Sequence, residues 1–183
     1  MNNIKGQKNL YGGINHNLPS AIRSEESYHP SVEHRDRLRA LLKSHVPKNS
    51  KKSIDLGSYT GKWTSLLLEF TDELICVDIV DNHFKIIKER FPEEESRLSY
   101  RVTDGDELGG VNDGSIDFIV SFDALVRNDK SILKKYFHEF YRVLRPGGVC
   151  LVHYTDKPFK GMPVTQDHEI EEVYGLDHFT LVE

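Results

Sequence analysis

Between Ser53 and Tyr154, short apolar runs alternate with longer amphipathic stretches, the signature of strands separated by helices. Ser53–Leu56 predicts a first strand and Gly61–Phe70 a first helix. Glu73–Val80 is almost continuously apolar through Leu74, Ile75, Cys76, Val77 and Ile79, as a strand buried on both faces should be. Asn82–Phe91 places Phe84, Ile87 and Phe91 on one helical stripe, with Pro92 beyond it. Leu98–Val102 and Ile116–Phe122 predict strands three and four, the latter after an Asn112-Asp113-Gly114 turn. In Ser131–Leu144 the apolar positions Ile132, Leu133, Tyr136, Phe137, Phe140, Tyr141 and Leu144 make an amphipathic helix. Pro146-Gly147-Gly148 is expected to stop it, and Val149–Tyr154 to form strand five. Such alternation implies an α/β fold: a doubly wound, mostly parallel sheet with helices on both faces.

The flanks are plainer. Residues 1–29 show no sustained period and are expected to form a flexible arm or a lid, leaving 30–183 as the folded domain. Pro30 opens a helix-like stretch through about His45, with Val32, Leu38, Leu41 and Leu42 on one side. After Thr155, Glu169–Tyr174 suggests a short helix and His178–Val182 a sixth strand. At most one further strand fits there, so a closing hairpin is expected to be shortened or incomplete.

Composition narrows the class. The 183 residues are 38% hydrophobic and 29% charged, an ordinary globular balance with enough chain for one sizeable core. A net charge of −5 argues against a nucleic-acid binder, and Arg142 and Arg145 read as part of a solvated face rather than a groove. No run approaches a membrane span, and the polar N-terminus is unlike a signal peptide. Cys76 and Cys150 lie in apolar runs and read as buried thiols, so a cytoplasmic protein is expected. An exposed sheet edge beside a short tail would favour a homodimer.

Ligands of doubly wound sheets sit at the carboxyl ends of the strands, where strand order reverses. Strand one runs into Asp55-Leu56-Gly57-Ser58-Tyr59-Thr60-Gly61-Lys62-Trp63-Thr64, a glycine turn that leads into a helix. Strand two ends at Asp78, about twenty residues after the loop, where a carboxylate can accept from both ribose hydroxyls of an adenosine. The alternative is a residue that caps the start of its own loop, since Asp81 and Asn82 follow. Asp104 could accept from an adenine amino group, with the N–H groups of Gly105 and Asp106 as donors, or belong to an ordinary Asp-Gly turn. Asp55 can orient the loop or receive a cationic group, and it would repel a pyrophosphate. The loop lacks both the Gly-x-Gly-x-x-Gly of dinucleotide folds and the Walker spacing, which with Asp55 argues against a nicotinamide oxidoreductase and a phosphate-binding loop. No metal site is assigned. Together these strand ends suggest an adenosine-shaped ligand without phosphates.

Asp55–Thr64, Asp78, Asp104-Gly105 and Leu144-Arg145-Pro146-Gly147-Gly148 resemble the ordered motifs of class I S-adenosylmethionine-dependent methyltransferases over roughly residues 50–155. Gly61-Lys62-Trp63-Thr64, Ser115-Ile116-Asp117-Phe118 and Ser121-Phe122-Asp123-Ala124-Leu125-Val126 are similar to a subgroup associated with sugar or polysaccharide modification. Arg127 and Val152-His153-Tyr154-Thr155 stand where that subgroup carries histidines, and Tyr59 replaces the family's central loop glycine. The resemblance implies a Rossmann-like fold and S-adenosylmethionine as cofactor. It implies that Asp55, Gly57, Ser58, Tyr59, Gly61 and Trp63 line its methionine side, Asp78 and Ile79 its ribose, and Asp104, Gly105 and Asp106 its adenine. Ser121 and Phe122 would border the transferable methyl, and Asp123 and His153 are the candidate catalytic bases. Methyl transfer to a small-molecule hydroxyl or amine follows; the alternative is a cofactor-binding protein or subunit without independent turnover.

Overall fold

A computed structural model describes residues 8, 9, 17, 19, 32–126, 128, 130–154, 172–176 and 179–182. Helix α1 (Val32–His45) leads into β1 (Lys52–Leu56), α2 (Thr64–Leu67), β2 (Glu73–Asp78), α3 (Phe84–Arg90) and β3 (Leu98–Val102). Then come β4 (Ile116–Ser121), α4 (Lys130–Val143), β5 (Leu144–Val152), β6 (Glu172–Leu176) and β7 (Phe179–Val182). Strands β1 to β5 form one parallel sheet in the order β3-β2-β1-β4-β5. The order reverses at β1, where Asp55 pairs with Cys76 of β2 on one side and Val120 of β4 on the other. The expected ligand crevice therefore opens beyond Leu56, Asp78 and Ser121.

Continuous apolar strands bury both faces. Ile54, Leu56, Val77, Ile119 and Val152 pack against Leu133, Tyr136, Phe140 and Val143 of α4. On the other face Leu74, Cys76, Phe118, Val120 and Leu151 meet Leu38 and Leu42 of α1, Leu66 and Leu67 of α2 and Ile87 of α3. Each such side chain stabilises the fold by about 1.5–3 kcal/mol when fully buried. Cys76 and Cys150 are free buried thiols. Among the described residues no helix is long and apolar enough to cross a membrane.

Several elements differ from their expected bounds. The helix expected over 61–70 is helical only from Thr64 to Leu67. Beyond it Glu69 and Phe70 donate to Leu66 and Leu67, a tightened i to i−3 pattern. The stretch after Asp78 begins with a 3₁₀ turn, Asp81–His83, before α3. Pro92 starts another such turn, Pro92–Arg97. Pro146-Gly147-Gly148 lies inside β5 and does not separate helix from strand. The register jumps from Ile116↔Leu144 to Phe118↔Val149, so the extra residues form a bulge. Arg142 and Arg145 are clamps. Arg142 pairs with Glu139 and Asp113 and donates to the Leu108 and Val111 carbonyls, holding the loop before β4 on α4. Arg145 pairs with Asp117, whose buried carboxylate also accepts the Lys51 and Lys52 N–H groups at 2.8 and 2.7 Å.

In the tail, Glu172–Leu176 is a strand where a helix was expected to reach Tyr174. Val173 and Tyr174 favour extended backbone and Gly175 disfavours a helix. β6 pairs antiparallel with β7, so a hairpin of two strands replaces the single strand expected. It is short, five and four residues long, and β7 runs beside β5. Of the expected arm, only Lys8, Asn9, Asn17 and Pro19 fall within the described residues, and Arg127 and Thr155 lie outside them.

Candidate functional site

The loop after β1 is built on the end of β2. Gly57 and Ser58 both donate to the Val77 carbonyl, at 2.8 and 3.1 Å, and Gly61 donates to Ser58 O at 2.8 Å. Gly57 has φ +79°, and a Cβ there would lie 2.1 Å from the Ala124 Cβ. The loop thus needs glycine for its backbone and for close approach of the segment after β4. Gly57→Ala is expected to lower stability by ~2–4 kcal/mol, from backbone strain and overpacking together. In urea unfolding, adding Ala124→Gly should restore the packing part and leave about 1 kcal/mol of strain. Full recovery would show that the backbone conformation is unstrained for alanine.

Tyr59 adopts φ +45° in the glycine-type region. The backbone path is kept, because its N–H donates to Asp78 Oδ2 at 2.8 Å and its ring packs edge-on to His83, 4.4 Å between centroids. An aromatic residue at positive φ costs of order 1–3 kcal/mol, and these two contacts offset it. Asp78 also accepts from Val80 N–H at 3.0 Å, so it does cap its own loop. It is 7% exposed, and the half-buried Ile79 follows it.

Asp55 is buried and accepts the Thr64 hydroxyl at 2.6 Å, tying β1 to the start of α2. Burial pushes its carboxyl up to about 7, the Thr64 hydrogen bond opposes this and the Asp78 charge adds to it. A carboxyl raised in the folded state is protonated there while the unfolded chain has already released its proton. Stability from this group is therefore greatest below the unfolded value near 4 and is lost as pH rises to about 7, by up to ~4 kcal/mol. Chemical denaturation from about pH 4.5 to 7.5 should show the decline, and Asp55→Asn should flatten it. Equal slopes in the two proteins would contradict the burial assignment.

Asp104 is exposed at 84%, and Lys8 holds its carboxyl below the usual range through a 2.8 Å hydrogen bond and its charge. The Gly105 N–H, expected to face a ligand, instead donates to Thr103 Oγ1 at 3.1 Å. Asp106 pairs with Lys135 of α4 at 2.6 Å.

Beyond β4 and β5 the two candidate bases meet. Asp123 Oδ1 lies 3.0 Å from His153 Nδ1. The His153 N–H donates to Ser121 O at 2.8 Å, just past the Ser121↔Val152 pair, so the strand register fixes both residues. Asp123 has φ +62°, which aspartate tolerates better than most residues. Phe122 and Trp63 join the loops after β4 and β1, with ring centroids 5.7 Å apart, and Lys62 Nζ lies 4.4 Å from the Trp63 ring. Tyr154 packs edge-on to Phe137 of α4. Ser58 Oγ and Ser121 Oγ are buried without a hydrogen-bond partner among the described residues. No three His, Cys, Asp or Glu side chains gather as metal ligands would among those residues.

The loop, Asp55, Asp78 and the Asp123–His153 pair thus gather at the switch point, while Asp104 stands at the rim. Thr64 closes the loop motif, but nothing in the sequence marked it as the partner of Asp55, and His83 had no sequence signal. His83 follows Asp78 by five positions, a spacing that puts residues on one face of neither helix nor strand.

A family model described as a methyltransferase domain matches residues 54–152. The chain is 34% identical over 126 residues to the demethylmenaquinone methyltransferase of Leptospira interrogans, covering 62% of this chain and 49% of that protein. It therefore spans about half the length of that curated relative. The solved PH0226 protein from Pyrococcus horikoshii OT3 is 29% identical, with TM-score 0.59 over 69% of this chain and 60% of that one. A SAM-dependent methyltransferase from Leishmania major shares the fold, with TM-score 0.67 at 14% identity over 82% and 60% of the two chains.

Proposed function

The chain belongs to the methyltransferase-domain family, and on that premise we propose that it transfers a methyl group from S-adenosylmethionine to a small-molecule hydroxyl or amine. The carrying observation is the Asp123–His153 pair, 3.0 Å apart, at the ends of the two strands that border the glycine loop. The donor set fits the cofactor. Asp55, Asp78 and Asp104 suit its ammonium, ribose hydroxyls and adenine amino group and would repel phosphates. The buried, unpartnered hydroxyls of Ser58 and Ser121 support a polar ligand at the same strand ends.

Bound S-adenosylmethionine supplies an electrophilic methyl on a sulfonium. The chain's task is then to align the acceptor and take its proton. Asp123 accepts from His153 Nδ1–H, which fixes the ring and leaves Nε2 as the basic nitrogen. Trp63 and Phe122 provide an apolar flank that keeps water from the reacting centre. A sugar-like hydroxyl is the finer proposal, supported by the Gly61–Thr64 and Ser121–Val126 motifs. Incubation with S-adenosylmethionine and a panel of sugars, phenols and amines should release S-adenosylhomocysteine with at least one hydroxyl or amine class. Tight cofactor binding with no turnover across the panel would favour a cofactor-binding role instead.

A further inference from the structure

Asp55 sits one residue before the end of the central strand, paired with Cys76 of β2 and Val120 of β4, and is 2% exposed. A carboxylate in such a place is costly unless a cation or several donors meet it. Of its roughly four acceptor sites, the fully buried Thr64 hydroxyl fills one, on Oδ2 at 2.6 Å. Among the described residues no cationic side chain pairs with it. An uncharged side chain could tie β1 to α2 just as well, so the tie alone gives no reason for an acid here. Building on the cofactor reading above, we propose that Thr64 is a positioning residue that holds the Asp55 carboxylate for a ligand ammonium, and that the pair selects ammonium-bearing ligands by giving up the Asp55 proton when one binds.

Burial pushes this carboxyl up to about 7, against the pull of the Thr64 bond and with the help of the Asp78 charge. An ammonium beside it favours the charged form, so the proton leaves to solvent and an ion pair takes its place. A ligand without a cation makes no such exchange. Thr64 sets the pH at which it occurs, because a hydroxyl donated to Oδ2 favours the carboxylate. The charged group that bears on Asp55 is Asp78, on the neighbouring strand, whose Oδ1 has His83 Nδ1 at 3.7 Å. Burial holds the Cys76 thiol well above its usual value, so it stays neutral. Helix α2, Thr64–Leu67, carries no titratable side chain. On α1, Asp36, Arg37 and Lys43 are exposed and Arg39 pairs with Glu69. On α3, Arg90 donates to Thr60 O, and in the loop Lys62 Nζ lies over the Trp63 ring. Beyond β4, Asp123 pairs with His153.

S-adenosylhomocysteine carries the ammonium and 5′-methylthioadenosine does not, while both keep adenine and ribose. Calorimetry in buffers of different ionisation enthalpy should count about half a proton released per S-adenosylhomocysteine at about pH 7, close to one at about pH 6, and none with 5′-methylthioadenosine. Affinity for S-adenosylhomocysteine should rise roughly tenfold from about pH 6 to about pH 8, and affinity for 5′-methylthioadenosine should stay within about twofold. Asp55→Asn, shown to be folded by thermal melts, should remove both the release and the rise. Thr64→Val should move the midpoint of the rise to higher pH by about one unit, and Thr64→Ser, which keeps the donor, should restore it. Equal proton release with the two ligands, or a rise that survives in Asp55→Asn, overturns the selection of the ammonium. A folded Thr64→Val protein with the wild-type midpoint overturns the role of Thr64; either result leaves the cofactor reading intact. No binding of S-adenosylhomocysteine or 5′-methylthioadenosine at any pH overturns both.

Discussion

His153→Ala is expected to lower kcat by ~10²–10⁴, the usual contribution of a positioned general base, while cofactor affinity changes less than about threefold. On the proposed reading the loop after β1 lines the sulfonium side, whereas His153 stands at the end of β5, so its loss should fall on the acceptor's proton and not on binding. Asp123→Asn should lower kcat as well, because an amide can present the wrong atom to Nδ1 and release the ring from its orientation. The assay is S-adenosylhomocysteine release with the acceptor class found active in the panel. A kcat that survives both substitutions would show that the acceptor arrives already nucleophilic and that the pair is structural.

Asp78→Ala carries the second large effect. It removes the proposed acceptor for ribose hydroxyls and, at the same time, the partner of the Tyr59 and Val80 N–H groups. Affinity for S-adenosylhomocysteine should fall by ~1–3 kcal/mol, about five- to 150-fold. Stability should fall too, since Tyr59 holds a positive φ that the lost hydrogen bond helped to offset. Asp78→Asn keeps the size and one acceptor oxygen, so it should lie between the two. Unchanged affinity in a folded Asp78→Ala protein would show that ribose is held elsewhere.

The parallel sheet was legible because strands buried on both faces leave long apolar runs, as at Glu73–Asp78 and Ile116–Ser121. Their ends, and so Asp55, Asp78 and Asp123, could be read off the same runs. The sequence was less informative where local and tertiary signals conflict. Pro146-Gly147-Gly148 is a strong breaker in isolation, yet pairing of Leu144 with Ile116 draws the preceding residues into β5. Tyr59 stands where the resembled family carries a loop glycine. Its acceptable conformation depends on Asp78 and on His83, which lie nineteen and 24 positions away in the chain. Arg145 gave no sign that a buried carboxylate, Asp117, awaited it on the neighbouring strand. The β6–β7 hairpin was half seen because Glu169–Tyr174 has a helical look that Gly175 and its strand partner override.

The loop Asp55–Thr64 and the acids at the ends of β1 and β2 are read as one side of an S-adenosylmethionine site. Isothermal titration of the chain with S-adenosylmethionine, and separately with NAD, tests this most directly. Saturable heat with S-adenosylmethionine and none with NAD is the expected result. No heat with S-adenosylmethionine, or binding of NAD in its place, would contradict it.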